Sequence, residues 1–529
     1  MQNLFFKRVL LVGFVLTMSI QSCTNLEEEL YSDITADNFF KTDEEFIAAL
    51  GQAYASFGGL GNHGNLWSLN EIASDELVIT TKGGDWYDGG ILINLHQHNF
   101  TSDNDFFNNA WGFLYGGINT ANRLIFSFEK LGTPESKVFI AELRAVRALW
   151  YFWAMDAFGN VPLVVDFTAK EAPANATRAE VYNFILSELN AVIPVLPTSK
   201  DSKTYGRMTK WAALAIRSKL YLNSQVYINQ AKWAEAAADA QEIIDKGPFS
   251  LQSVYSENFA IRNGGSSENI MVYAYDKVFA GGFNWPMMTL HYASQGVYSL
   301  ADQPWNGYSV VEEFYNSYID PAKNPGPQGN VWKGLATAPS TGTLDKRLTN
   351  FVVGPQFNPD GSRAQDPGVD AGDPDGAPLN FTPQINQIFP NAWRQGGARI
   401  GKYEYEIGGN ANMSNDFVIF RLGDIILTLA EAEFRRGNTA KALVLVNQIR
   451  KRAGVDAFSS LTLDQLFEER GREMFAEMTR RQDQIRFGKW SGTWWEKPST
   501  AAKTHQIIFP IPKPQLNSNA KLKQNPGYN

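Results

Sequence analysis

Asp85, Trp86, Tyr87 and Asp88 put two carboxylates and two flat aromatic rings into four residues, between Gly84 and the pair Gly89-Gly90. That mixture suits two kinds of chemistry. Carboxylate pairs, here Asp85/Asp88 and the nearby Asp75/Glu76, are the acid and base of glycoside hydrolysis, but only at a set separation across a cleft, which chain order does not determine. Aromatic faces suit binding instead: sugar rings present flat CH faces that stack on Trp and Tyr, while Asp, Asn and Arg take the hydroxyls. The chain holds 14 Trp, 20 Tyr and 35 Phe, and those on helical stripes, such as Trp150 and Trp153, read as core. Trp67, Trp86, Tyr87, Trp285, Tyr292, Tyr298, Trp305, Tyr308, Trp332 and Trp393 sit instead among Gly, Asn, Asp and Pro. For each of these, packing and ligand contact both stay open.

Other catalytic signatures fail on their own terms. Gly59, Gly61 and Gly64 have the spacing of a dinucleotide fingerprint, but they follow a helical pattern and no βαβ unit surrounds them. Gly396, Gly401 and Lys402 match a P-loop until Tyr403 takes the place of the magnesium-binding Ser or Thr, and Tyr403 to Glu406 alternates like a strand. His96 and His98 would share one face of a strand, but they lack a nearby carboxylate or Cys to complete a metal site. Asp373, Asp375 and Gly376 echo a calcium loop whose first and twelfth positions are Ala371 and Thr382, so the EF-hand template fails. No cofactor is expected, with irregular calcium binding in this acidic loop the open alternative.

Cys23 is the only cysteine. Lys7 and Arg8 precede an apolar run from Val9 to Ile20, too short to span a bilayer but suited to a signal peptide. Ile20-Gln21-Ser22-Cys23 then resembles a bacterial lipobox, which implies cleavage before Cys23 and acylation of it. Residues 1–22 read as the leader. Removing them takes the formal charge from −8 to 45 − 55 = −10, a balance unsuited to nucleic acid. Glu27, Glu28 and Glu29 just after the cysteine resemble a surface-export signal of Bacteroidota lipoproteins.

The elements that must position these residues are mainly helices. Thr24 to Ser32 reads as a tether and Asp37 to Phe57 as the first helix, with Thr42 and Glu45 as a capping box. Residues 58–100 read as exposed loops and short strands. Helices are predicted over Asn108–Lys130, Glu135–Phe158, Arg178–Leu196, Met208–Asn223 and Lys232–Lys246, and again over Asn415–Arg436, Asn438–Ala453 and Thr462–Phe487. Short breaks between them suggest stacked hairpins resembling degenerate tetratricopeptide packing. Between the tracts, residues 250–414 lose helical periodicity. The expected fold is mostly α, tetratricopeptide-like helical hairpins forming a scaffold with an irregular loop-rich half carrying short strands. The N-terminal part spans 23–270 and the C-terminal part 271–529, the latter with a loop-rich insertion over 271–414, helices over 415–487 and a tail. The charged run from Glu468 to Arg486 reads as salt-bridged scaffold rather than an acid/base site.

Taken in order, these pieces resemble the SusD/RagB family over essentially the whole mature chain. They are the lipobox, Phe39-Phe40-Lys41-Thr42-Asp43-Glu44-Glu45, Gly84 to Gly90, Trp111 to Tyr115, Glu142-Leu143-Arg144-Ala145, Phe158 to Leu163, Asp416 to Arg421, Ala430-Glu431-Ala432, Pro510-Ile511-Pro512 and Asn525-Pro526-Gly527-Tyr528. The resemblance implies a non-catalytic lipoprotein of the outer membrane, anchored through Cys23. It would capture a glycan and act as the lid of a SusC-like TonB-dependent barrel. A peptide-binding lid and a surface glycosidase or lyase are the alternatives. Asp85 and Trp86 fall in the loop that resembles the family's binding edge. Tyr87, Trp67, Asp75, Trp285, Trp305, Arg394 and Tyr403 complete the candidate ligand-binding set.

Overall fold

Phe46, Ala49, Leu50 and Ala53 recur three and four residues apart, and all four are buried along one face of helix α1 (Asp43–Ala55). The computed structural model describes residues 43–133, 136–320, 345–366 and 378–528. The described residues from Phe46 onward belong to one compact unit; of residues 1–45 only 43–45 are described. Cys23, the tether, Thr42, Trp332 and the aspartates 370, 373 and 375 lie outside the described residues.

Six further long helices follow the expected pattern closely: α2 (Asp105–Leu131), α3 (Ser136–Phe158), α4 (Arg178–Val192), α5 (Lys210–Leu222), α6 (Trp233–Lys246) and, later, α8 (Thr439–Ala453). Their ends are fixed by local chemistry. Asn104 accepts the Phe106 N–H at the start of α2, and Gly132 takes a left-handed φ of 62° at its end. Thr177 and Glu180 form a reciprocal capping box on α4. Helix α3 is buried almost all round, because α2 packs on one side and α4 on the other. At Gly117 the Trp150 ring of α3 lies directly against the α2 backbone: a Cβ there would sit 2.2 Å from it.

Each helix packs on the next, α2 on α3, α3 on α4, α4 on α5 and α5 on α6. The stack then jumps in sequence. Helix α6 packs on α7 (Leu422–Arg435), which carries α8 and α9 (Leu463–Met474). Buried Ala236, Ala240, Ala430 and Ala432 keep these contacts close. The two helical tracts are therefore one scaffold, and the predicted fold class is the observed one.

Several local expectations are overturned. Residues 58–100 are not mainly exposed: Leu66–Ile72 is a fully buried short helix, Leu77–Ile79 is a buried strand, β1, and Ile91–His96 is a second short helix. His96 and His98 consequently do not share a strand face. Both are buried, each with Nε2 bound to a backbone carbonyl, of Trp495 and Ala73. The segment Asn415–Arg436 is not one helix. Strand β2 (Asn269–Tyr273) pairs antiparallel with a strand at Phe417–Arg421, and α7 starts only after it. The run Thr462–Phe487 also breaks. The Ala476 N–H donates to Glu76 and the Met478 N–H to Glu71, both at 2.8 Å, so tertiary acceptors replace the helical ones; Ala476 and Met478 take φ of 58° and 59°. Likewise Tyr403 to Glu406 is not a strand.

The irregular half carries two-stranded ladders only, among the described residues. The one nearest the Trp86 loop pairs β1 with a strand at Tyr308–Val310, Leu77 facing Val310 and Ile79 facing Tyr308. No described helix is long and apolar enough to cross a membrane.

Candidate functional site

The loop after β1 is pinned at its base and open at its tip. The Lys82 and Asp85 backbones bond reciprocally at 3.0 and 3.2 Å. The Thr81 and Gly83 N–H groups donate to the carbonyls of Ile388 and Pro390, which ties the loop to a neighbouring segment. Gly83 to Gly89 then faces solvent, with Trp86 half-buried among exposed neighbours.

Trp86 is held by four constraints. Its backbone is left-handed, with φ of 62°, a conformation that costs a bulky residue on the order of 1–3 kcal/mol. Its indole N–H donates to the Trp305 carbonyl at 2.7 Å. Its six-membered ring lies over Gly307, where a Cβ would come within 2.6 Å of it. The His63 ring packs edge-on against it, with centroids 5.3 Å apart. Trp305 is also half-buried, 6.2 Å from His63 on another side. Tyr87 (46% exposed) and Phe389 (47% exposed) lie together beyond, with ring centroids 5.4 Å apart.

The polar part of the edge is a relay of charge. The Tyr292 hydroxyl donates to the Asp85 carboxylate. Burial and then Asp85 push the Tyr292 hydroxyl well up, so it remains a donor at any physiological pH. The Arg394 guanidinium stacks 5.0 Å over the Tyr292 ring and grips buried Asp366 in a two-pronged contact at 2.7 and 3.0 Å. On its other side Asp366 lies 3.0 Å from His291 Nε2. Burial lowers the His291 pKa, with Asp366 opposing.

The structure thus brings Asp85, Trp86, Tyr87, Trp305 and Arg394 to one open edge. It places the other candidates elsewhere. Trp67 and Trp285 are wholly buried and pack on each other at 4.6 Å, and Tyr403 is 1% exposed with its hydroxyl accepting from the Val418 N–H. Their faces are closed to any ligand in this conformation; they are core residues. Tyr298 and Tyr308 are core as well. Asp75 is clamped by Arg480 at 2.7 and 2.8 Å, a scaffold contact. His63 and Phe389 belong to the edge and were not expected there. Phe389 carried a weak signal, an aromatic residue before Pro390 in an Asn/Gln-rich segment; His63 carried none. Stacking surfaces beside hydrogen-bonding groups make the edge a binding surface. Among the described residues no group of three or more His, Cys, Asp or Glu is placed to hold a metal ion.

A scaffold of stacked helical pairs bearing an irregular, strand-poor face defines a tetratricopeptide-like class of protein. Residues 267–528 match the model of the SusD family, and residues 25–222 match a family model described as "Starch-binding associating with outer membrane". The chain belongs to the SusD/RagB family. It is 25% identical to the starch-binding protein SusD of Bacteroides thetaiotaomicron, over 89% of this chain and 86% of that one. It is 24% identical to SusD-like protein P2 of Formosa agariphila, over 99% and 100%. Among solved structures, the surface glycan-binding protein A of Bacteroides uniformis superposes with a TM-score of 0.70 at 21% identity, over 92% of this chain and 99% of that one. The same protein of Bacteroides thetaiotaomicron, solved with laminarihexaose, gives 0.69 at 20%, over 91% and 99%.

Proposed function

We propose that this chain is a non-catalytic cell-surface protein that captures an oligo- or polysaccharide along the Asp85–Trp86–Tyr87 edge. It delivers the glycan to a SusC-like TonB-dependent barrel, for which it serves as the lid, and it is tethered to the outer membrane by a lipid on Cys23. The carrying observation is the Trp86 platform: an indole locked by backbone, carbonyl and glycine contacts while remaining half open, beside Trp305, Tyr87 and Asp85. A stacked sugar face removes about 50 Å² of apolar surface, worth roughly 1 kcal/mol. Two or three platforms with hydrogen bonds give affinities from about millimolar to micromolar, suited to capture and release. The starch, laminarihexaose and glycan named for its relatives support a glycan as the ligand. Asp85 is already engaged by Tyr292, which favours a binding role for it over that of a free acid or base.

The test is electrophoresis of the purified protein through gels containing starch, laminarin and a wider polysaccharide panel, with reducing ends assayed in parallel. Retardation without new reducing ends, relieved by Trp86→Ala, is expected. Release of reducing ends, or retardation by no polysaccharide, overturns the reading. The tether has its own check: fatty-acid labelling marks the wild type and not Cys23→Ala. For the partner, affinity capture from detergent-solubilised outer membrane recovers a large β-barrel protein.

A further inference from the structure

We propose that His63 is a ligand-contacting residue of the same edge, a neutral imidazole that offers its Nε2–H to a glycan oxygen between Trp86 and Trp305. The assignment rests on the functional reading above and deepens it. His63 is packed edge-on against Trp86, Trp305, Phe106 and Tyr308. Only one of its nitrogens is used: Nδ1 lies 2.8 Å from the Tyr308 hydroxyl. Nε2 has no hydrogen bond among the described residues, and it is not one of the buried orphan atoms, so it reaches the surface.

The tautomer follows from counting protons. The Gly64 N–H donates to Ser68 Oγ at 3.2 Å, and Ser68 Oγ lies 2.7 Å from the Tyr308 hydroxyl. Ser68 is fully buried, and Tyr308 is the remaining partner for its hydroxyl hydrogen. Ser68 therefore donates to Tyr308, Tyr308 donates to Nδ1, and the imidazole hydrogen sits on Nε2. Burial lowers the His63 pKa to about 4 although Asp88 pulls it up, so the ring is neutral across physiological pH. A neutral donor set between two stacking faces is what a sugar hydroxyl or ring oxygen needs. His63 Nε2 is a polar atom beside both Trp86 and Trp305 that no described protein group uses.

Laminarihexaose and maltohexaose titrated into ¹⁵N-labelled protein test this. The free protein should show the Nε2–H tautomer, and saturation should move the His63 Nε2 resonance. His63→Gln, whose amide nitrogen falls near Nε2, should bind within about threefold of wild type. His63→Asn, which reaches only the Nδ1 position, should lose about five- to tenfold, the effect of one hydrogen bond. Urea midpoints and near-ultraviolet circular dichroism check that both variants keep the tryptophan packing. Wild type that binds either sugar with an unmoved Nε2 resonance, or with His63→Asn as tight as wild type, overturns the assignment alone. Wild type that binds neither sugar overturns the functional reading for glucans, and this assignment with it.

Discussion

Two regions of the molecule are rich in groups that look chemical, and they spend them differently. Around α9 the charges are closed upon one another. Arg421 bonds Glu268 at 2.8 Å, Glu473 at 2.6 Å and Glu477 at 2.7 and 2.8 Å; Arg347 bonds Asp345, Glu469 and Glu473; Arg452 reaches Glu268 and Glu473. Arg347, Arg421, Glu268, Glu469 and Glu473 are fully buried. On the Trp86 edge each group is held from behind and left open in front. Fixation is common to both regions. What separates structure from binding is whether any face remains unspent after fixation. Most pairs around α9 bridge elements far apart in sequence, so this network fastens the helical stack to the irregular half rather than stiffening one helix.

The comparison breaks most visibly at Arg421. Arg421→Ala removes the cation that Glu268, Glu473 and Glu477 share, leaving them Arg452, Arg347 and Lys402, and breaking a buried pair typically costs about 3–5 kcal/mol. A large fall in urea midpoint or loss of soluble protein is expected, whereas any Trp86 substitution leaves the midpoint close to wild type. Equal losses in the two would erase the distinction.

Acid probes the same network without mutation. Burial alone would raise Glu473 and Glu431. Arg452, Arg421 and Arg347 outweigh it for Glu473, and Arg486, Arg435 and Arg470 for Glu431, holding each at about 2. Their folded pKa is below the ordinary 4.5, so the stability they contribute is present above about pH 4.5 and lost as pH falls towards 2. Glu71 and Glu76 run the other way. Burial raises both, so their contribution declines as pH rises above 4.5. The unfolding free energy read from urea titrations between pH 7 and 3 should therefore fall most steeply below 4.5, by on the order of 2 kcal/mol per network carboxylate. A midpoint flat to pH 3 contradicts the network.

At the edge, Trp86→Ala should weaken glycan binding by about tenfold, the loss of one stacked face and its contacts. Binding is read by gel retardation, with the urea midpoint as the control.

Much of the scaffold was legible because helices are local. The ends of α2, α6 and α8 fall within a few residues of those predicted, and Leu422, Ile425, Ile426 and Leu429 share the buried face of α7 as their spacing requires. What misled was always long-range. Phe417 to Arg421 fits a helical period, yet it pairs with a strand nearly 150 residues earlier, which no local pattern carries. The run after Met474 unwinds because Glu71 and Glu76, four hundred residues away, offer better acceptors. The site was half legible for the same reason. Asp85, Trp86 and Tyr87 lie in one glycine-flanked loop. Trp67 and Trp285 look equally loop-like in sequence and become core only once the irregular half folds over them. His63 joins the edge purely through tertiary packing.

The smallest expected effect is the sharpest test of why the edge stays open. Gly307→Ala adds a methyl whose carbon would sit 2.6 Å from the Trp86 ring and 2.9 Å from the Met288 carbonyl oxygen. The ring can give and the backbone cannot, so Trp86 swings off its seat. Overpacking of this kind costs about 1–3 kcal/mol when the neighbours are confined. Here the half-open ring relieves most of it, and the urea midpoint should fall only slightly. Binding should fall several-fold, because the ring no longer presents the same face. The double variant Gly307→Ala with Trp86→Ala decides the cause. If the methyl acts through the ring, the double variant binds no worse than Trp86→Ala alone, a strong non-additivity between touching residues. Additive losses would mean that Gly307 serves the ligand directly and that the Trp86 seat is incidental.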